Sequence, residues 1–169
     1  MSDLLTRRHV SADGTVSEAD YSPCLAYRYR LERHWGDAPV QTWIMLNPST
    51  ATELADDPTI ARVSRRARAA GAGGVRILNL FAFRATLPRD FFAAADPVGP
   101  KTDRIFDALN GQAVAGWGVH GARFGRGPAV AARLRDRGIA LSHLGLTRDG
   151  HPRHPLYVSY AVAPRPWQE

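Results

Sequence analysis

The chain has 169 residues, 44% of them hydrophobic and 22% charged, which is typical of one globular domain. It has no apolar run of the ~18–20 residues that a membrane span needs, no signal-peptide core in residues 1–8 and only one cysteine, Cys24. These absences exclude a transmembrane helix and an intramolecular disulfide, and they predict a cytoplasmic protein. The net charge of +6 suits a phosphate-bearing partner, although GC-rich codons also raise the number of arginines.

The N-terminal part predicts antiparallel strands. Residues 8–10 and Val16 flank an Asp13-Gly14 turn, which is typical of a hairpin. Apolar and charged residues alternate over Leu25–Trp35, as in a half-buried strand. We therefore expect residues 1–36 to form a hairpin arm packed against the rest of a single domain of residues 1–169.

From Val40 onward, apolar strands alternate with helices. The predicted strands are Val40–Leu46, Val75–Phe83, Ala113–Trp117 and Ile139–Leu146. The predicted helices run from the Asp57-Pro58 cap to Gly71, over Asp103–Leu109 and over Pro128–Arg137, with Arg62, Arg65, Arg66 and Arg68 mostly off the apolar face of the first. This alternation predicts a three-layer α/β/α fold with a mostly parallel central sheet, and it leaves Leu156–Val162 open as a short helix or strand.

Four polar clusters follow the four predicted strands. They are Met45-Leu46-Asn47-Pro48-Ser49, Asn79-Leu80-Phe81-Ala82-Phe83-Arg84, Trp117-Gly118-Val119-His120-Gly121 and His151-Pro152-Arg153-His154-Pro155-Leu156-Tyr157. Ligands of open α/β sheets bind at the carboxyl ends of the strands, so the clusters are expected to meet in one cleft.

The order and chemistry of these clusters resemble the uracil-DNA glycosylase superfamily. The chain is also similar, nearly end to end, to a family of small bacterial proteins of unassigned function that carry the same segments. The first resemblance implies a uracil-DNA glycosylase-like fold and a monofunctional DNA glycosylase without cofactor or metal. Such an enzyme flips a base out of DNA, hydrolyses its N-glycosidic bond and leaves an abasic site. A monomer that binds DNA and no membrane is expected.

The resemblance also implies roles for individual residues. Asn47 would hold the attacking water, and His154 would donate a hydrogen bond to the leaving base. The residues expected to bind the substrate are Asn79, which reads the base edge, with Pro48, Ser49, Phe81 and Trp117. The residues expected to contact DNA are Arg84, Arg123, Arg126, His151 and Arg153.

Each cluster also has a simpler interpretation. Asn47-Pro48 is a common turn, Asn79 could bond loop backbone, Trp117 could belong to the core, and the second His-Pro pair could lie in a surface loop. The spacing of His143, His151 and His154 fits no common zinc motif.

The substrate and the function also stay open at this point. The residues after Ser49 depart from the uracil pocket, so the base could be uracil-like or a hypermodified phage base such as glucosylated hydroxymethylcytosine, removed as anti-phage defence. A nucleoside or nucleotide N-glycosidase and an inactive DNA-binding module are the competing functions.

Overall fold

The computed structural model describes residues 4–168, in which eight strands form one sheet. The strands are β1 (Leu5–Val10), β2 (Val16–Tyr21), β3 (Arg28–His34), β4 (Val40–Met45), β5 (Gly74–Asn79), β6 (Gln112–Ala115), β7 (Ala140–His143) and β8 (Arg165–Pro166). Their spatial order is β1-β2-β3-β5-β4-β6-β7-β8. Residues 1–3 and 169, which the predicted arm and domain include, lie outside the described residues.

Helices connect the strands of the second half. They are α1 (Pro58–Ala69), α2 (Pro88–Phe92), α3 (Thr102–Asp107) and α4 (Arg126–Asp136), with 3-10 segments at Val119–Gly125 and Pro155–Tyr157. The sequence had predicted three of the four α-helices and not the short α2. None of the helices within residues 4–168 combines the length and the apolar character that a membrane crossing requires.

The sheet is mixed rather than mostly parallel, and this corrects the prediction. Its centre, β5-β4-β6-β7, is parallel, whereas β1, β2 and β3 continue it antiparallel beyond β5, and β8 pairs antiparallel with β7. Strands joined by short turns can pair only in the antiparallel direction, whereas parallel neighbours need a longer crossover. The N-terminal arm is therefore part of the main sheet and extends it at one edge.

Two apolar clusters lie on opposite faces of this sheet. Alternation along β4 and the residue after it sends Ile44 and Leu46 into a cluster with α2, α3 and α4, and Trp43 and Met45 into a cluster with α1. Side chains of successive strand residues point to opposite faces, so one apolar strand serves both layers. The predicted α/β class is thus confirmed.

The sequence predicted the start of α1 correctly but the end of β5 too late. The side chain of Asp57 caps α1 by accepting a hydrogen bond from the backbone N–H of Ile60 at 2.9 Å, and Pro58 follows it in the first turn. Strand β5, however, ends at Asn79 and not at Phe83. Beyond Asn79 the chain leaves the ladder, and the N–H of Ala82 donates to the carbonyl of Val98 in a loop.

Candidate functional site

A cavity of about 820 Å³ is found at the carboxyl ends of the parallel strands. All four predicted clusters contribute to its lining: Asn47 follows β4, Asn79 ends β5, Trp117 follows β6 and His154 follows β7. Residues more than 100 positions apart in the chain meet here because parallel strands end at the same edge of the sheet. The structure therefore brings together the three residues on which the glycosylase interpretation depends most.

Asn47 has a fixed amide orientation. Its Nδ2 donates to the carbonyl oxygens of Pro48 at 2.9 Å and Ala85 at 2.8 Å. Two carbonyl acceptors identify that atom as the nitrogen, which leaves Oδ1 as an acceptor that no donor of residues 4–168 engages. An anchored side chain with a free oxygen at a cavity wall is suited to holding a water molecule.

Asn79 is buried without hydrogen bonds. Its side chain is 3% exposed, and neither Nδ2 nor Oδ1 has a partner among the described residues. Leaving a buried polar group unpaired costs about 1–3 kcal/mol. The expected alternative, an amide bonded to loop backbone, is not what the structure has. Because Asn79 lines the cavity, a ligand that offers one donor and one acceptor can satisfy both atoms.

His154 stands at the start of the 3-10 segment Pro155–Tyr157. Its Nδ1 accepts a hydrogen bond from the backbone N–H of Leu156 at 3.3 Å. With Nδ1 as acceptor, the single proton of the neutral ring is on Nε2. Burial lowers the pKa of His154 to about 4, although the negative charge of Asp57 acts in the opposite direction. His154 is therefore a neutral hydrogen-bond donor at physiological pH.

Gly118 of the third cluster and Gly116, just before that cluster, let the chain come close to the His154 loop. Gly118 adopts a φ of 71° and donates its N–H to the carbonyl of Pro152 at 2.8 Å. A Cβ on Gly116 would lie 3.1 Å from Cδ of Pro155 and 3.2 Å from Sδ of Met45. The Trp-Gly segment thus has a structural role, since it positions the loop that carries His154.

The pKa of His154 predicts how stability depends on pH. The imidazole takes up its proton near pH 6.5 in the unfolded chain and only near pH 4 in the folded chain. Between these values the unfolded state binds more protons, so the free energy of unfolding falls as the pH drops from 7 to 5. Urea unfolding at both pH values should show a smaller fall for His154→Gln than for the unsubstituted protein. An equal fall in both proteins would contradict the low pKa.

Arginines of α1 hold the segment that follows His154. The guanidinium of Arg66 donates to the carbonyl oxygens of Val158, Ser159 and Val162, and that of Arg62 donates to those of Pro155 and Val158. These arginines were predicted to lie mostly off the apolar face of α1, and Arg66 is nevertheless buried, at 7% exposed, because the segment after His154 covers it. The carbonyls of Val158, Ser159 and Val162 come after the 3-10 segment and outside any strand, and the arginines are hydrogen-bond donors to them.

Arg66→Met should lower the free energy of unfolding by about 3 kcal/mol, because it leaves carbonyl groups without the charged donor that binds them. The matched control is Arg65→Met. Arg65 is exposed and stacks over Tyr160 at 4.2 Å, a contact expected to contribute about 0.5–1 kcal/mol. Urea unfolding measures both values. Similar losses in the two variants would show that the carbonyl contacts are not what stabilises this segment.

A protein-family model described as a protein of unknown function, DUF1643, matches residues 28–156, which is more than half of the chain. The chain belongs to the DUF1643 family. Neither a search of curated proteins nor a search of solved structures gives a match. The DUF1643 segment contains Asn47, Asn79 and His154, and it leaves β1 and β2 outside. No activity is attached to the DUF1643 family, so the function has to be argued from the site.

The remaining residues expected to bind the substrate differ in their positions. Ser49 lines the cavity. Trp117 also reaches its wall but is 1% exposed and belongs to the core. Pro48 and Phe81 do not line it, which corrects the expectation for both. Phe81 is fully buried and packs against Phe91 at 5.1 Å between ring centres. Strand alternation would have kept it on the face of Ile77 and Asn79, but β5 ends at Asn79 and the chain then turns Phe81 toward α2.

Some of the residues expected to contact DNA are exposed, and others are already bound within the protein. Arg153 is exposed and lines the cavity, and Arg123 is exposed and stacks over Phe92 at 4.7 Å. Arg84 and Arg126 already have protein partners, which argues against phosphate contacts for them. Arg84 donates to the carbonyl of Leu25 at 3.1 Å, and Arg126 pairs with Asp103 at 2.6 Å. His151 is partly buried and lies outside the cavity lining.

Sequence reasoning missed two charged residues of the cavity. Asp57 was predicted only as a helix cap, and Arg28 only as part of the alternating strand, yet both line the cavity. The Asp-Pro pair before a helix carries no signal for a cavity. For Arg28, an arginine in an otherwise aromatic Tyr27-Arg28-Tyr29 stretch was the available signal. No group of three or more His, Cys, Asp or Glu side chains within residues 4–168 could hold a metal ion.

Proposed function

We propose that this protein is a DNA glycosylase of the uracil-DNA glycosylase superfamily. It would hydrolyse the N-glycosidic bond of a flipped modified or damaged base and leave an abasic site. The four parallel strands at the centre of the sheet, with polar loops at their carboxyl ends, support the proposed relationship. The net charge of +6 is compatible with a DNA partner.

The buried amide of Asn79 is the observation that carries the proposal. A side chain that is 3% exposed, unpaired at both polar atoms and part of a cavity wall calls for a ligand with a matching edge. The edge of a nucleobase offers a donor and an acceptor side by side, and glycosylases read flipped bases through such edges. An unpaired donor or acceptor in the free protein becomes a gain in binding when the ligand satisfies it.

The other two residues have the chemistry that base removal requires. The sugar becomes oxocarbenium-like as the bond breaks, and the electron pair of the bond goes to the base. Asn47 would accept a hydrogen bond from the water that attacks the sugar, through the oxygen that its anchored amide leaves free. His154 would donate from Nε2 to the base, which its neutral state permits at pH 7.

The cavity volume bears on the substrate class. About 820 Å³ falls in the upper part of the range of about 300–1,000 Å³ that is typical of pockets for drug-sized ligands. An unmodified pyrimidine is smaller than such a ligand, so the volume favours a base with a bulky polar substituent. A hypermodified phage base such as glucosylated hydroxymethylcytosine fits this description, and its removal would serve anti-phage defence.

The test is incubation of the protein with DNA that carries different bases, among them uracil, hydroxymethylcytosine and its glucosylated form. Alkali-labile sites and released free base are then measured. Release from at least one DNA, lost in Asn79→Ala, is the expected result. Release from free nucleosides but from no DNA would support the competing N-glycosidase. Salt-dependent DNA binding without release from any substrate would support the inactive binding module.

Binding to DNA should depend on salt through the exposed arginines. Arg153→Met is expected to reduce the slope of log affinity against log salt by about one unit, because one phosphate contact is lost. The matched control is Arg133→Met, since the Arg133 guanidinium is already bound to Asp107 at 2.6 and 2.8 Å. Fluorescence anisotropy at several salt concentrations gives the slopes. Equal slopes for the two variants would remove Arg153 from the DNA interface.

A further inference from the structure

Arg28 is a buried cation at the wall of the same cavity. It is 2% exposed and is the first residue of β3. The register between β2 and β3 changes from Asp20 opposite Arg30 to Tyr21 opposite Arg28, so Tyr29 is an extra residue in β3. Such a bulge changes which face the next side chain points to.

The bulge turns Arg28 toward the face that carries the cavity. Its Nη1 donates to the carbonyl of Ala51 at 2.6 Å, in the same loop where Arg33 donates to the carbonyl of Thr52. Regular alternation would have placed Arg28 with Arg30, which pairs with Asp20 on the other face. A local irregularity therefore brings one arginine to the ligand side of the sheet.

The charge of Arg28 is not neutralised by a direct ion pair. No carboxylate of residues 4–168 pairs with it and its Nε has no hydrogen-bond partner, whereas its neighbour Arg33 pairs with Asp56 at 2.8 Å. Burial lowers the pKa of Arg28 to about 10, so the guanidinium remains protonated at pH 7. The charged or ionisable groups that influence it are Tyr21, Asp57, Arg84 and Arg33.

A buried cation without a counter-ion is costly unless a ligand supplies the opposite charge. Asn79, which is buried with both polar atoms unpaired, lines the same cavity. Two such groups in one cavity indicate a ligand that has hydrogen-bond acceptors on its ring and carries negative charge at some stage of binding or reaction. A phosphate of the DNA backbone is a poor candidate, because the backbone stays at the cavity mouth when a base is flipped.

We propose that Arg28 is the anion subsite of this cavity and binds the departing base in its deprotonated form. This inference rests on the proposed function and deepens it. As the N-glycosidic bond breaks, its electron pair goes to the base nitrogen, and the oxygen of water bonds to C1′ of the sugar. One proton of that water passes to solvent, and the base anion later takes up one proton from solvent. Arg28 stabilises the anion in between, together with the hydrogen bond from His154.

Binding of two small probes tests the subsite without any catalysis. Barbiturate is a planar pyrimidine that carries one negative charge at pH 7, and uracil is a neutral ring of similar shape. Isothermal titration should give tighter binding of barbiturate than of uracil to the unsubstituted protein. Arg28→Met should reduce that preference about tenfold or more, because a hydrogen bond to a charged group is lost. Arg28→Lys should keep part of it.

The matched control is Arg104→Met, which removes one exposed arginine on α3 outside the cavity lining and should leave the preference unchanged. If Arg28→Met does not fold, as judged by circular dichroism, Arg28→Gln and Arg28→Lys carry the test. The anion subsite would be overturned if the unsubstituted protein showed no preference for barbiturate. It would also be overturned if Arg28→Met or Arg28→Gln showed the same preference as the unsubstituted protein.

The outcomes separate the subsite from the glycosylase. An Arg28-dependent preference for barbiturate with no base release from any DNA would support the anion subsite and count against the glycosylase. Base release from DNA without that preference would support the glycosylase and count against the anion subsite. If both hold, Arg28→Met should slow single-turnover base release by about 10²–10³ while leaving the salt slope of DNA binding unchanged.

Discussion

His154→Ala should slow base release about 10²–10³-fold on the true substrate, with little change in DNA affinity. The negative charge on the base appears only as the bond stretches, so a donor aimed at it stabilises the transition state more than the bound substrate. His154 meets the requirements for this role because it lines the cavity and is neutral at pH 7 with its proton on Nε2. Single-turnover release of base under saturating enzyme measures the effect.

His151→Ala is the matched control, because it removes a histidine from the same loop and from an equivalent His-Pro pair. His151 does not line the cavity, and its backbone forms a turn with Thr147. We expect a rate close to that of the unsubstituted protein. If His151→Ala abolished release while His154→Ala retained it, the roles of the two histidines would have to be exchanged. If neither mattered, the proposed leaving-group donor would be wrong.

Asn47→Ala should also slow base release about 10²–10³-fold. The substitution removes the oxygen that would hold the attacking water. The oxocarbenium-like sugar must then react with water that no side chain orients. It also removes two donors, to the carbonyls of Pro48 and Ala85, so the loop after β4 could loosen. Urea unfolding and DNA affinity, measured beside the rate, separate the two effects. A lost rate with both other quantities retained is the expected pattern.

Asn110→Ala is the control for Asn47→Ala. Asn110 is exposed, and its amide donates only to the nearby carbonyl of Ala108 at 3.3 Å. Its removal should leave rate, stability and affinity unchanged. A wild-type rate in Asn47→Ala would mean that water is positioned by another group of the cavity, and Asp57, which also lines it, would be the first to examine.

Local chemistry made most of the fold predictable. The cap formed by Asp57 and Pro58, the Asp13-Gly14 turn and the apolar strand Val40–Leu46 each depend on neighbours within a few residues, so a short window of sequence contains what decides them. The strand that the antiparallel N-terminal arm joins was not predictable in this way. Its pairing with β5 depends on which edge of the parallel strands is free in the folded chain, and no local pattern encodes that choice.

The residues of the site also divide into those that the sequence predicted and those that it did not. The resemblance to the uracil-DNA glycosylase superfamily singled out Asn47, Asn79 and His154, and the position of their clusters after predicted parallel strands led us to expect them in one cleft. Phe81 was misplaced because the sequence does not show that β5 ends at Asn79; continued alternation would have kept Phe81 on the face of Asn79, whereas the folded chain turns it to the other face. Arg126 was expected to contact DNA and Arg66 to lie off the apolar face of α1, yet each meets backbone carbonyls that only the folded chain brings near.

By itself, then, the sequence determined the hairpin and the order of strands and helices, since these follow from short-range propensity and the period of the pattern. It also placed the four polar clusters after the predicted strands, and the resemblance chose Asn47, Asn79 and His154 among them. The tertiary structure alone decided which edge of the parallel strands the N-terminal arm joins, the unpaired state of Asn79 and the presence of Arg28 in the cavity. These depend on which distant groups become neighbours. For Arg28, a single extra residue in β3 reverses the face that alternation would assign.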